Sequence, residues 1–218
     1  LCGRVWIVCV QKPEPAFFRR CEKKPLRCDY LTLLESDLVG LAVRSDQCIR
    51  KFSVGIDTQK FAPVTKAGAR ALKQRYGFSP DKVLVAHVGH LSVGRGLEDF
   101  THLDDAQIER IVVASGMFEH AETIRALEAS GVRLLRGYIP NVEEIYQMAD
   151  VYLFPTRSVE YVISVPLSVM EALACGTPVV AYRGFESLRE IPAVNPSAIA
   201  YIEDRSELTG AVLKASTM

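Results

Sequence analysis

SVEYVISVPLSVMEALACGTPVVAY, Ser158 to Tyr182, reads as loop, helix, turn and strand. Pro166 suits the first turn of a helix, where its missing N–H costs no hydrogen bond, and Pro178 starts the strand that follows. Ala172, Ala174 and Gly176 are small enough to let the helix lie close on a sheet. A helix docked between strands in this way is part of a βαβ unit, which needs neighbouring strands to bury its apolar faces.

The flanking sequence supplies them. Apolar runs at Val83–Val88, Ile111–Ala114, Val132–Leu135, Val151–Phe154, Pro178–Ala181 and Ala198–Ile202 recur about every 20–25 residues. Helical stretches lie between most of them, Glu119–Ala129 and Val142–Met148 being the clearest. Parallel strands covered on both faces should be continuously apolar, and these mostly are. The spacing predicts an α/β fold: a Rossmann-like, doubly wound parallel sheet of about six strands.

The first part of the chain is less regular. Strand candidates Arg4–Val10 and Leu38–Val43 flank the basic, aromatic stretch FFRRCEKKPLR. Ile56–Pro63 reads as a connector, followed by a helix over Lys66–Tyr76 stopped by Gly77. A boundary near residue 55 therefore divides a partial N-terminal α/β segment, 1–55, from the regular domain, 56–218. The sequence begins without Met and runs straight into a strand, so a piece of a longer polypeptide is expected.

With 218 residues, 49% hydrophobic and 24% charged, the chain can bury a full core. Its formal net charge of zero gives no reason to expect nucleic acid as a partner, so any anion site must be local. None of the six cysteines forms a C-x-x-C pair or stands beside a histidine at zinc-ligand spacing, and no metal site is expected. They read as reduced thiols of a cytoplasmic protein, although the cluster Cys2, Cys9, Cys21 and Cys28 leaves a disulfide open. Val5–Val10 is too short for a signal peptide or a membrane span.

Two stretches carry candidate chemistry. GHLSVGRG, Gly89 to Gly96, follows the first regular strand at its carboxyl end, where open α/β sheets bind ligands. Its backbone can approach a phosphate, Arg95 can add a charged fork, and His90 another donor. Arg95 and Gly96 replace the lysine and hydroxyl of a P-loop, and G-x-G-x-x-G is absent, which argues against ATPase and NAD-dependent chemistry. A plain tight βα turn is the alternative. In the second stretch, Glu171 is the one charge between Tyr161 and Tyr182 and shares a helix face with Leu167. A carboxylate there can accept from a ribose diol, while Ser164, Ser168 and the helix amino terminus face a diphosphate. Alternatively Glu171 pairs with a nearby arginine, and Glu160 is a solvated loop charge.

Four ordered segments then resemble a known family. GIDTQKFAP is similar to its G-[VI]-D-x-x-x-F-x-P connector, AHVGHLSVGRG to its G-R-L-x-x-x-K-G loop, NVEEIYQMADVYLFPT to the stretch ending in Pro-Ser, and PLSVMEALACGTPVVAY to E-A-M-A-x-G-x-P-V-V. Over roughly residues 37–204 the chain resembles the donor-binding, C-terminal domain of retaining "group 1" glycosyltransferases of GT-B fold. The resemblance implies that Gly89, His90 and Arg95 face the donor phosphates, at positions usually held by arginine and lysine in the case of His90 and Arg95. It places Glu171 on the ribose as the second glutamate of an E-x7-E motif whose first position is Ile163 here. Glu160, five residues after Pro155, is the expected surrogate on the sugar hydroxyls.

The implied reaction moves a sugar from a nucleotide-diphosphate donor to a saccharide or lipid-linked acceptor hydroxyl, without cofactor or metal. Arg95 and Glu160 are its candidate catalytic residues, and Gly89, His90, Arg95, Ser164, Leu167, Ser168 and Glu171 its candidate donor ligands. With about 55 residues ahead of the regular domain, the chain is expected to bind donor but turn over poorly or not at all. Phe17–Arg27 is either a solvated edge loop or a peripheral contact at the inner membrane face. Rival readings are a noncatalytic nucleotide-sugar module and another GT-B enzyme, a phosphorylase or an epimerase.

Overall fold

The computed structural model describes residues 5–103, 105–158, 162–184, 188, 191 and 196–218. They form two parallel sheets. The smaller has the order β1 (Trp6–Cys9), β2 (Asp29–Thr32), β3 (Ile49–Lys51), with helix α1 (Pro15–Lys23) crossing from β1 to β2. β1 falls within the expected first strand, but Leu38–Val43 is not a strand. Glu35–Leu38 is a 3-10 helix, and Gly40 turns the chain at φ +82°. Leu38 and Leu41 are both buried, three residues apart, while Val39 between them is 76% exposed. That is a helical rather than an alternating period, and it explains the misreading.

Phe17 and Phe18 pack inward against the cluster of Cys9, Cys21, Cys28 and Tyr30. The stretch read as either a solvated edge loop or a membrane contact is thus largely helix, with its rings turned to the core and Arg19, Arg20, Lys23, Lys24 and Arg27 exposed. No helix among the described residues is long and apolar enough to cross a membrane. Cys9, Cys21, Cys28, Cys48 and Cys175 are free thiols.

The larger sheet comprises β4 (Val83–Leu91), β5 (Ile108–Glu119), β6 (Arg133–Arg136), β7 (Val151–Phe154), β8 (Val179–Tyr182) and β9 (Ile199–Ile202). Its order is β6-β5-β4-β7-β8-β9, all parallel. All six expected strands are present and the sheet is doubly wound. Val85, Val112, Leu153 and Val180 face one side, under α3 (Ala121–Ala129) and α6 (Leu208–Ala215). Leu84, Ala86, Ile111 and Val113 face the other, under α4 (Glu143–Met148), with α5 (Leu167–Ala174) covering Tyr152, Phe154 and Val179 beside them. Helix α2 (Lys66–Arg75) packs on α4. At the amino ends of the strands, buried Lys73 bonds Asp150 at 2.5 Å and the Lys82 carbonyl at 2.9 Å, and Asp150 also accepts from the Leu84 N–H at 2.6 Å. Bonded at both partners, this ion pair stitches α2 to β4 and β7.

The two sheets touch. The Ser164 N–H donates to the Val10 carbonyl at 2.9 Å, and its hydroxyl donates to the buried Asp37 carboxylate.

Candidate functional site

The strand order reverses between β4 and β7, and open α/β sheets bind ligands in the crevice beyond the carboxyl ends of such a pair. Here the crevice is built by side chains. Only Val85–Val151 and Ala86–Tyr152 pair directly. Beyond them His87 Nδ1 lies 3.0 Å from the Leu153 carbonyl, and the Tyr152 hydroxyl donates to the Val88 carbonyl at 3.1 Å. Ladder bonds give way to side-chain bonds, and the strands part.

β4 continues past the expected end at Val88 to Leu91, because the long β5 keeps pairing with it through a register shift between Gly89 and Leu91. Gly89 and His90 are therefore strand residues, and the expected glycine loop is reduced to a turn over residues 92–95. Gly94 and Gly96 take φ +84° and +73°, a region that favours glycine. A Cβ on Gly96 would also drive into the Pro155 carbonyl oxygen. This turn carries Arg95, whose backbone carbonyl accepts from Thr156 at 3.2 Å.

Arg95 is half-buried, its Nε is fully enclosed without a hydrogen-bond partner, and no carboxylate pairs with it among the described residues. Burial lowers its pKa, opposed by interaction with Tyr152. A cation stripped of water and left without a counter-ion is a strong attractor for an anionic ligand. His90 bonds Ser115 at 2.8 Å, and burial together with the Arg95 charge lowers its pKa. Both effects favour the neutral ring over a second cation.

Across the crevice, no side chain caps α5; the Val169 N–H turns back to the Pro166 carbonyl at 3.2 Å, which leaves the N–H groups of Leu167 and Ser168 as the donors at the helix start. Ser168 stands on that turn, close enough to the Tyr152 hydroxyl to act on its pKa. Half-buried Glu171 accepts from the Tyr146 hydroxyl at 2.6 Å. Burial raises the Glu171 pKa, opposed by that bond and by Lys60. Among the described residues no arginine pairs with Glu171, the alternative the sequence left open. Tyr152 lies within electrostatic reach of both Arg95 and Glu171, so the two stretches meet around its hydroxyl. Leu167 opens α5 beside them.

Ser164 goes elsewhere. It is 1% exposed and its hydroxyl is spent on Asp37, so it ties the two sheets together instead of facing the crevice. Glu160 lies outside the described residues. Sequence reasoning also missed His87, Tyr146 and Tyr152, and the anchor behind the Arg95 turn. There Asp99, fully buried, accepts from Arg157 at 2.9 and 3.0 Å, Tyr182 at 2.8 Å and Arg205 at 2.7 Å. A polar residue inside an apolar strand, as in Val83-Leu-Val-Ala-His87, was the available signal for His87.

A doubly wound sheet with a cation unpaired among the described residues and an uncapped helix terminus at its switch point defines a Rossmann-like domain suited to an anionic ligand. More narrowly, the chain belongs to the family described as Glycosyl transferases group 1, whose sequence model matches residues 85–217. It is 25% identical over 195 residues to the sulfoquinovosyl transferase SQD2 of Arabidopsis thaliana, covering 86% of this chain and 37% of that protein. It is 31% identical over 161 residues to a D-inositol 3-phosphate glycosyltransferase of Xylanimonas cellulosilytica, covering 66% and 37%. The chain thus spans well under half the length of these relatives. Among solved structures, Anabaena HepE in complex with UDP-glucose superposes with a TM-score of 0.76 at 14% identity, covering 97% of this chain and 62% of that one. The C-terminal domain of LpcC from Francisella tularensis gives 0.56 at 15% identity, covering 75% and 89%. At these identities the likeness is one of fold, that of GT-B glycosyltransferases.

Proposed function

We propose that this chain is the donor-binding part of a glycosyltransferase, moving a sugar from a nucleoside-diphosphate sugar to an acceptor hydroxyl. The observation that carries the reading is Arg95: half-buried, without a counter-ion among the described residues, and within electrostatic reach of the same Tyr152 hydroxyl as Glu171. Arg95 and the N–H groups of Leu167 and Ser168 at the start of α5 hold the diphosphate. Glu171 takes the ribose diol on its carboxylate, with Tyr146 orienting it. When the acceptor oxygen bonds the anomeric carbon and the bond to the diphosphate breaks, negative charge grows on the departing phosphate beside Arg95, which stabilises it without a metal. Glu160 holds the sugar hydroxyls in this reading, and the anomeric configuration is retained, as the resemblance implies.

We place the domain boundary near residue 55, with 1–55 on the acceptor side. A cavity of about 1,090 Å³ lined by Lys12, Glu14, Arg19 and Ser158 joins the two sides and gives a saccharide or lipid-linked acceptor its approach. Donor binding without robust turnover is expected of these 218 residues. UDP-glucose solved with HepE makes UDP the first nucleotide to try. Calorimetric titration with UDP, GDP and ADP tests the reading: one should bind, and binding to none sinks it. NMR of the product's anomeric proton, in the complete natural polypeptide, tests retention. A noncatalytic nucleotide-sugar module is the second reading, favoured by the neutral His90 and by Ile163 in the motif's first glutamate position. Binding without turnover in the complete polypeptide decides for it.

A further inference from the structure

Two orphaned atoms of complementary chemistry lie in the crevice. His87 is fully buried, stacked on Tyr152 with ring centroids 5.7 Å apart and edge-on to Phe100 at 6.3 Å. Its Nδ1 faces the Leu153 carbonyl at 3.0 Å. A carbonyl can only accept, so Nδ1 carries the proton and Nε2 is a bare lone pair. That Nε2 is buried and has no partner. It points toward Gly89, where an added Cβ would stand 2.7 Å from it. The second orphan is Arg95 Nε, an N–H donor likewise enclosed and unbonded. The Arg95 charge acts on the His87 ring, and both groups act on or stack against Tyr152, so they share one crevice. Buried polar atoms in native proteins are nearly always bonded, and an orphaned donor beside an orphaned acceptor calls for a common explanation.

We propose that His87 is a positioning residue for Arg95: its Nε2 accepts the Arg95 Nε–H across the space left by Gly89 and turns the two terminal nitrogens toward the donor's diphosphate. The inference rests on Arg95 being the diphosphate ligand. A neutral imidazole suits the task better than a carboxylate, because it fixes the guanidinium without consuming its charge. Anchoring at Nε leaves the Nη1–Nη2 fork free to meet two phosphate oxygens. Gly89 matters because any side chain there would fill the space the bond must cross.

Two variants separate the parts. His87→Asn keeps an N–H for the Leu153 carbonyl and deletes the Nε2 acceptor, whereas Arg95→Lys keeps the charge and deletes Nε. With whichever of UDP, GDP and ADP binds, His87→Asn should weaken affinity about tenfold, the size of a hydrogen bond to a charged group, yet leave the matching nucleoside unaffected. In the Arg95→Lys background the same change should have no further effect. In unmutated protein labelled with 15N-histidine, the His87 Nε2 resonance should move when the nucleotide is added, and should not move in Arg95→Lys. This needs no His87 variant, so it decides the matter even if His87→Asn fails to fold. An unmoved Nε2 resonance, or equal loss of nucleotide and nucleoside binding, overturns the inference and leaves the donor site standing. Binding of none of the three nucleotides overturns both.

Discussion

Acid should unfold this protein partly through one buried imidazole. Burial holds His87 down to about 4 from 6.5, with the Leu153 bond opposing and the charges of Arg95 and His90 adding to the shift. Between those two values the unfolded chain takes up a proton that the native state refuses. The unfolded state binds more protons there, so stability present above pH 6.5 is lost as pH falls toward 4. One proton contributes about 1.36 kcal/mol per pH unit, so about 2 kcal/mol should be gone by pH 5 and about 3 kcal/mol over the whole window. The perturbation is acid titration of wild type against His87→Asn, which keeps the bond to Leu153 but cannot titrate. Urea unfolding at intervals from pH 7 to 4.5 gives the stability of each. Carboxylate effects are common to both proteins and cancel in the difference. The advantage of wild type over the variant should shrink on acidification by about 2 kcal/mol at pH 5. A difference that stays constant from pH 7 to 5 would refute the argument that burial keeps this imidazole neutral in the native state.

Glu171 predicts the opposite dependence. Burial raises its pKa above the ordinary 4.5, so the native state retains a proton the unfolded chain has released, and stability is lost as pH rises through the native value. Glu171→Gln should therefore be the more stable protein at pH 7, with the gap closing below pH 4.5, while nucleotide affinity falls by about tenfold or more in titration calorimetry. Gly96→Ala forces an L-residue to φ +73° and pushes a methyl group into the Pro155 carbonyl. It should cost about 2–3 kcal/mol by chemical denaturation and abolish nucleotide binding. Asp99→Asn breaks the anchor of Arg157, Tyr182 and Arg205, whose two arginine side chains remain 40% and 39% exposed and can rehydrate. The loss should be about 2 kcal/mol, below the 3–5 of a fully buried pair, and an unmoved urea midpoint would count against the anchor.

The larger sheet was legible because the physics that builds it writes a simple pattern. A parallel strand covered on both faces must be apolar throughout, so Val151–Phe154 and its neighbours stand out between helices. The smaller sheet lacks that pattern. β3 is Ile-Arg-Lys, exposed along its length, and β2 opens on Asp29, so neither reads as buried strand. In the candidate site, sequence reasoning singled out Arg95 and Glu171 because each is a charge in an apolar or glycine-rich setting. It could not find what holds them. Tyr146 and Tyr152 look like ordinary core aromatics, and only their hydroxyls, reaching Glu171 and the Val88 carbonyl, make them part of the site. Ser164 failed for a related reason. Nothing local reveals that its hydroxyl is drawn to Asp37, 127 positions away in sequence.

That Ser164 contact bears on how the site is supported. α5 begins three residues after Ser164, with Pro166 at its cap, so the approach to the helix terminus is pinned to the smaller sheet at both Val10 and Asp37. On the other flank, the Arg95 turn is pinned through Gly96 and Thr156 to the segment after β7, which Arg157 fixes on buried Asp99. The candidate site is thus held from two sides by buried polar contacts, while Arg95 is left without a carboxylate partner among the described residues. Such an arrangement spends hydrogen bonds on position and withholds them from the group that meets the ligand, which is how a preorganised electrostatic site must be built. By this argument, releasing Ser164 with Ser164→Ala should weaken nucleotide binding although the hydroxyl touches no ligand. The loss should be smaller than that of Arg95→Lys, and calorimetry on both variants would show the order.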